Sequence, residues 1–322
     1  MAIDLLTLQP TVISRDLKGK YVLLYGKPKS GKTTAASQFP KTLLVAFEKG
    51  YNAIGGVIAQ DVNKWSDFKM VLRQLERAEV RERFDTIVID TISIAWDQCE
   101  AYICQQNGVQ KIAEIPWGGG YTACKKEFES SLRKITMLGY GIVLICHNGS
   151  RIEKDAEGNE YEVIYPDMPK RASEICNGLV DVIGYIGSEY DAEGHQKRYL
   201  YTRETPTLFA GSRFKYLAPK IPFGYQELVD AIADAIEKSE KVDGVKVVDR
   251  AESKVEEKVD FATIRAQAQD LWAKLVTANE DNAVAILKKI EITMGHKMRL
   301  SEFTEDQADL LALVVEDMKE MI

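Results

Sequence analysis

The run Gly26-Lys27-Pro28-Lys29-Ser30-Gly31-Lys32-Thr33-Thr34 has residue types and spacing suited to binding an anion. Two glycines flank four residues, and a lysine and a hydroxyl residue follow at once. Such a loop turns backbone N–H groups inward, and phosphate oxygens are the anion it fits. Lys32 would reach the β- and γ-phosphates of a nucleotide, and Thr33 would hold Mg²⁺ through its hydroxyl. Lys27 and Lys29 either add phosphate attraction or are merely exposed charge. A Gly- and Lys-rich surface turn can match the pattern by chance. Here the apolar run Tyr21-Val-Leu-Leu-Tyr25 precedes it and an Ala-containing helical stretch follows, the strand and helix that the motif requires.

Three more polar residues close apolar runs. Asp90 ends Phe84-Asp-Thr-Ile-Val-Ile-Asp90, where an acid would hold Mg²⁺ directly or through water, although an Asp at a strand end also serves as a helix cap. Glu48 ends Lys41-Thr-Leu-Leu-Val-Ala-Phe-Glu48. Hydrolysis of a nucleoside triphosphate needs a carboxylate beside the γ-phosphate, because water must be positioned to attack. A solvated acid is the plain alternative. His147 follows Gly141-Ile-Val-Leu-Ile-Cys146 and is either structural or a polar member of the same series.

These residues need a scaffold that gathers strand ends. The apolar runs alternate with helical patterns. One runs from Trp65 to about Arg83 with Phe68, Val71, Leu72 and Leu75 on one face, one reaches about Gln106, and one carries Phe128, Leu132 and Ile135. The alternation predicts an α/β fold with a mostly parallel sheet. A loop from Gly108 to Tyr121 contains Pro116-Trp-Gly-Gly-Gly-Tyr121. After His147 the pattern changes to two hairpins around Asp-Ala-Glu-Gly turns, Arg151–Lys154 with Tyr161–Tyr165 and Val180–Tyr190 with Lys197–Arg203. Gly224–Glu237 closes the core as a helix. The expected division is a core over 1–237, a charged linker over 238–260 and a small C-terminal helical domain over 261–322. Three helices there are marked by Ile264, Leu271 and Leu275, by Ile286, Leu287 and Ile290, and, behind a capping box at Thr304–Gln307, by Leu311, Val314, Val315 and Met318.

The 322 residues suffice for one substantial core and a small second domain. A net charge of −7 argues against coating nucleic acid by bulk electrostatics. Residues 237–322 hold 13 Lys/Arg against 19 Asp/Glu, so the first 236 are nearly neutral and leave room for local basic patches. Cys99, Cys104, Cys124, Cys146 and Cys176 form no C-x-x-C pair, and three dispersed histidines complete no zinc pattern. Reduced, buried thiols in a cytoplasmic protein are the plain reading. No basic leader or membrane-length apolar run is present, so no membrane partner is expected.

In order, the phosphate loop, Glu48, Val88-Ile-Asp90-Thr-Ile-Ser93, the Gly-rich aromatic loop and Ile145-Cys-His147 resemble the RecA core. More closely, the chain resembles phage-encoded RecA-core single-strand annealing proteins of the Sak type, part of a broad group of phage AAA/RecA-type ATP-binding proteins. Tyr25-Gly-x-x-x-x-Gly-Lys-Thr-Thr34 and Phe47-Glu-Lys-Gly50 carry the likeness, which spans residues 18–236 and leaves out the C-terminal helices.

The resemblance implies a RecA-like P-loop NTPase core using ATP and Mg²⁺. Lys32 and Glu48 would be catalytic, and His147 would sense the γ-phosphate and lead into a DNA-binding loop. It also implies two DNA-facing segments. Trp117 and Tyr121 would offer base-stacking faces. Arg151, Lys154, Lys170 and Arg171 would meet phosphates, although Glu153, Asp155, Glu157 and Glu160 crowd that segment. An aromatic packed under a loop and a solvated hairpin are the respective alternatives. Ala210-Gly-Ser-Arg213 resembles a Lys-x-Arg segment with Gly211 in the Lys position. Arg213 is thus either a finger reaching a neighbouring subunit's γ-phosphate or an ordinary loop arginine.

The expectation is an ATP-hydrolysing protein of phage DNA metabolism in the host cytoplasm. It would bind single-stranded DNA and promote annealing or recombination as a ring or filament, its tail recruiting a single-strand binding protein or another recombination partner. A RecA-fold helicase or helicase loader, and a non-hydrolysing nucleotide-gated binding module, are the alternatives.

Overall fold

The computed structural model describes residues 13–14, 17–244, 246–248 and 260–321. Most of the lead-in before Leu17, and 249–259 of the expected linker, lie outside the described residues. One compact unit spans Pro10–Val255 and another contains Glu256–Ile322.

The larger unit begins β1 (Ile13–Ser14), β2 (Tyr21–Gly26), α1 (Lys32–Ala36), β3 (Thr42–Ala46), β4 (Ala59–Asp61), α2 (Trp65–Leu75), α3 (Ala78–Arg83), β5 (Thr86–Asp90), α4 (Ile92–Gln106), α5 (Gly119–Met137) and β6 (Gly141–Cys146). It continues β7 (Asn148–Lys154), β8 (Glu160–Pro166), α6 (Lys170–Leu179), β9 (Val182–Tyr190), β10 (Gln196–Tyr201), β11 (Gly211–Ser212), β12 (Lys220–Pro222), α7 (Tyr225–Asp243) and β13 (Val247–Val248). Nine strands form one sheet in the order β12-β10-β9-β2-β6-β5-β3-β4, with β11 also on β9. From β9 to β4 every pairing is parallel, while β10, β11 and β12 join antiparallel. The strands β7 and β8 pair with each other as a hairpin, Ile164 of β8 also bridging to Leu208, and β1 pairs with β13.

The central strands are nearly continuous apolar runs because both sheet faces are covered. Leu23, Val45, Ile87, Ile89, Ile142 and Leu144 pack toward α2, α4, α5 and α6. The alternate residues Val22, Leu24, Leu44, Val88, Val143 and Ile145 pack toward α1 and α7. In a parallel sheet all these strands end at one edge, and ligands of open α/β sheets bind outside that carboxyl edge.

Several elements differ from the sequence expectation. The helix expected over Trp65–Arg83 breaks at Arg77, which is extended, because the apolar face that buries Trp65, Phe68, Leu72 and Leu75 ends there and α3 buries nothing. The segment Gly108–Tyr121 is not an open loop. It contains 3₁₀ turns at Ile112–Glu114 and Pro116–Gly118, and α5 already starts at Gly119. A Cβ on Gly120 would lie 2.7 Å from the Ile112 carbonyl oxygen, so glycine lets the helix start close against that turn. The strand β9, expected only as half a hairpin, is also the parallel neighbour of β2. The helix α7 runs to Asp243, into the expected linker.

The smaller unit comprises α8 (Phe261–Ala278), α9 (Asp281–Met294) and α10 (Ala308–Lys319) around Leu271, Leu275, Ile286, Ile290, Phe303 and Leu311. The capping box forms as expected, Thr304 N–H donating to Gln307 Oε1 at 3.1 Å, and Leu311, Val314, Val315 and Met318 are buried. Leu287 is exposed because it lies a further 100° around α9 from Ile286.

Under the sheet, Phe128 stacks on Trp65 (centroids 5.8 Å apart) and meets Trp96 edge-on at 5.0 Å. Phe128→Ala is expected to lower unfolding free energy by about 3–5 kcal/mol, measured by denaturant titration. A loss below about 1 kcal/mol would show that this aromatic cluster does not hold the helical layer.

Candidate functional site

The phosphate loop leaves β2 through Gly26, where a Cβ would stand 2.8 Å from the Ile186 carbonyl oxygen of β9. Gly31 takes a left-handed φ of 94° at the N-terminal boundary of α1. Lys29 is also left-handed, at φ 64°. Lys27, Pro28 and Lys29 are exposed on the loop's outer turn, and Ser30 is half-buried. Lys32 is only 5% exposed, and its ammonium donates to the carbonyls of Gly26 and Lys27, both at 2.8 Å. No carboxylate pairs with it among the described residues. Burial therefore holds its pKa below the usual lysine range, against the pull of Asp90, Cys146 and Glu48.

Thr33 opens toward the next strand ends. Its hydroxyl donates to Asp90 Oδ2 at 2.7 Å. Asp90 ends β5 and is buried, and that desolvation raises its carboxyl above the usual range despite the Thr33 hydrogen bond. The Asp90 carbonyl accepts the N–H groups of Phe47 (2.7 Å) and Glu48 (3.0 Å), which fixes the chain just after β3. β6 lies between β2 and β5, so His147 falls between the loop and Asp90, with Nε2 3.4 Å from Glu48 Oε2. Lys32, Thr33, Asp90, Glu48 and His147 thus gather at one sheet edge, as their positions at strand ends require.

This set fits a nucleotide with a divalent cation. The loop offers a glycine cradle and a buried, unpaired cation for phosphate. Ser30 Oγ and His147 Nδ1 are buried without hydrogen-bond partners among the described residues. A hydroxyl and a carboxylate already in contact are hard oxygen donors suited to Mg²⁺.

The remaining candidates are scattered. Trp117 is fully exposed and left-handed at φ 60°. Tyr121 is not on a loop with it. It lies within α5, half-buried, with the Arg171 guanidinium 4.6 Å over its ring. Arg151 and Lys154 project from β7. The first lies over the Tyr165 ring at 4.8 Å, and the second pairs with Glu160 at 3.2 Å. Lys170 and Arg171 open α6, with Lys170 exposed. Arg213 sits at the opposite edge, its register neighbour Ser212 facing Val182 at the start of β9. It pairs with Asp181 at 3.1 Å and donates to the Gly178 carbonyl at 2.6 Å. Within its own chain it is a structural tie remote from the loop, and only a neighbour's site is open to it.

Two residues beside the loop had no sequence signal. Arg198 on β10 and Phe223 after β12 approach Gly31 from strands whose place in the sheet is set by long-range pairing alone.

Ionised Asp90 is costly without a cation. Asp90→Asn is expected to raise the melting temperature of nucleotide-free protein by about 2–4 °C. The same change should remove the Mg²⁺-dependent part of the upward shift that added nucleotide produces. An unchanged Mg²⁺ response in thermal unfolding would remove Asp90 from the metal site.

The model of the AAA domain family matches residues 18–214, spanning the loop, both carboxylate-bearing strand ends and the β9–β10 extension. Over its whole length the chain is 29% identical to the SPbeta prophage-derived uncharacterized protein YorG of Bacillus subtilis (strain 168), covering 99% of that protein. Among solved structures, the flagellar accessory protein FlaH from Methanocaldococcus jannaschii is 14% identical, with a TM-score of 0.37 over 64% of this chain and 85% of that one. The phosphate loop, the ordered strand-end residues and the extent of the family match together show that this chain belongs to the AAA domain family, on an α/β core of P-loop NTPase type.

Proposed function

We propose that this chain binds and hydrolyses ATP with Mg²⁺, and that the bound nucleotide controls single-stranded DNA binding for annealing or recombination. The contact between Glu48 and His147 carries this reading. Glu48 is a half-exposed carboxylate whose backbone is pinned to Asp90, the position a water-orienting group needs beside the γ-phosphate. His147 opens directly into the β7–β8 hairpin, and its carbonyl accepts the Asp167 N–H at 2.8 Å where the hairpin closes. Tyr25, one residue before Gly26, donates its hydroxyl to the carbonyls of Ile164 and Phe209, on and beside the hairpin's second strand. A γ-phosphate that draws His147 therefore acts on the root of the β7–β8 hairpin.

Mg²⁺ held by Thr33 and Asp90 would neutralise charge on the β- and γ-oxygens. Lys32 would move its ammonium from the two carbonyls to phosphate, and Glu48 would orient the attacking water. Trp117 is the aromatic free to stack on a base, projecting from a strained turn. Arg151, Lys154 and Lys170 would meet phosphates, while Tyr121 and Arg171, stacked on each other, support α5 and α6.

The prophage-derived relative and the Sak-type resemblance support a phage origin and action in the host cytoplasm. Among the described residues no helix is long and apolar enough to cross a membrane. Assembly as a ring or filament would let Arg213 serve a neighbouring site. Val284, Ile292 and Leu313, exposed on the smaller unit, support a tail that recruits a single-strand binding protein or another recombination partner.

A non-hydrolysing nucleotide-gated module is the second reading. It is favoured by the local partners of Arg213 and by Gly211 in place of a lysine.

Glu48→Gln is expected to lower ATP turnover by about 100-fold or more while leaving nucleotide affinity within about threefold. Normal turnover in that variant would remove the catalytic assignment. Trp117→Ala should weaken single-stranded DNA binding by about 1–3 kcal/mol in fluorescence anisotropy with ATP present, and an unchanged affinity would withdraw the stacking role.

A further inference from the structure

Arg198 belongs to none of the motifs, yet the sheet carries it to the phosphate loop. On β10, Leu200 packs into the core shared with α1 and α7, filling the space that a Cβ on Gly184 would occupy. Side chains two apart on a strand share a face, so Arg198 emerges on that same face one pleat nearer the carboxyl edge. The register agrees. Gly26, the last residue of β2, pairs with Ile186 of β9, whereas Arg198 pairs with Ser188, two residues further along. Arg198 therefore lies beyond the end of β2, level with the loop.

Its position is fixed by β12 and the residue that follows it. The Phe223 N–H donates to the Arg198 carbonyl at 3.0 Å. A Cβ placed on Gly31 would meet Phe223 Cε1 at 3.3 Å and Arg198 Nη1 at 3.4 Å. The guanidinium thus lies against the backbone of the loop's second glycine, immediately before Lys32.

Other cations of the antiparallel extension are tied to acids. Lys197 pairs with Asp191 at 3.2 Å, Lys220 with Glu189 at 2.5 Å and Arg213 with Asp181 at 3.1 Å. Among the described residues, no carboxylate or carbonyl engages the Arg198 guanidinium, although Lys27, Lys29 and Lys32 stand in the same loop. Arg198 is exposed, so its guanidinium is free to turn toward an anion brought to the loop. A planar guanidinium binds phosphate oxygens in a two-pronged geometry that lysine lacks.

We propose that Arg198 is a phosphate ligand of the nucleotide site, supplied by the same chain from the antiparallel extension of the sheet and contacting the polyphosphate from the Gly31 side of the loop. This rests on the reading of Gly26–Thr34 as a nucleotide loop. It gives the site a second cation besides Lys32 that does not depend on a neighbouring subunit, while Arg213 is engaged at the opposite sheet edge. Arg198 is assigned here to binding and orienting the polyphosphate, not to moving a proton.

The test is equilibrium titration of the full chain with a fluorescent ribose-labelled ATP and Mg²⁺ at low and moderate salt. Wild type, Arg198→Ala, Arg198→Lys and Lys32→Ala would be compared, with thermal unfolding of each protein without nucleotide. Arg198→Ala is expected to weaken ATP binding about tenfold and to flatten its salt dependence, with Arg198→Lys in between and the nucleotide-free melting temperature unchanged. Wild-type affinity and salt slope in Arg198→Ala, with binding lost in Lys32→Ala, would overturn this role and leave the nucleotide reading standing. A loss accompanied by a lower melting temperature and not eased by lysine would mark Arg198 as structural and also overturn it. Failure of wild type itself to bind would remove both.

Discussion

Two buried opposite charges that do not touch set the character of this molecule. Lys32 is held by carbonyl oxygens and Asp90 by a hydroxyl, and burial shifts each pKa toward the neutral form. A direct ion pair would have satisfied both and closed the site. Keeping them apart leaves a cation that a polyphosphate can take and an anion that a divalent metal can take. The cost falls on the ligand-free state, which nucleotide and metal together would relieve.

The sheet order makes that arrangement hold. Insertion of β6 between β2 and β5 separates the loop from Asp90 by one strand and sets His147 in the gap. Pairing of β3 with β5 then lets the Asp90 carbonyl anchor Glu48. The site is therefore held by backbone hydrogen bonds at the ends of rigid strands rather than by mobile loops. The β9–β10–β12 extension adds the one wall that comes from antiparallel pairing, and Arg198 is on it.

What was legible in the sequence divides along the same physical line. The apolar strands, the loop, Glu48, Asp90 and His147 were readable because each position follows from a local pattern, an uninterrupted run that ends in a polar residue. The start of α5 at Gly119 was hidden, since three glycines give no helix signal; a left-handed φ of 68° accounts for Gly118, and close approach to Ile112 accounts for Gly120. The partners of Arg213 and Tyr121 were equally hidden. Asp181 and Arg171 lie 32 and 50 residues away in the chain, and no spacing rule joins them. Arg198 was missed for the same reason, because its neighbour Gly31 is reached only through two strand pairings, β2 with β9 and β9 with β10.

The central claim is that nucleotide chemistry at the strand ends is coupled to DNA through His147 and the β7–β8 hairpin. The most direct measurement is the steady-state rate of ATP turnover by the full chain with Mg²⁺, with and without single-stranded DNA, across a salt series. The account predicts stimulation by DNA that falls steeply as salt rises, as phosphate contacts require. A turnover rate indifferent to DNA at the lowest salt would contradict it.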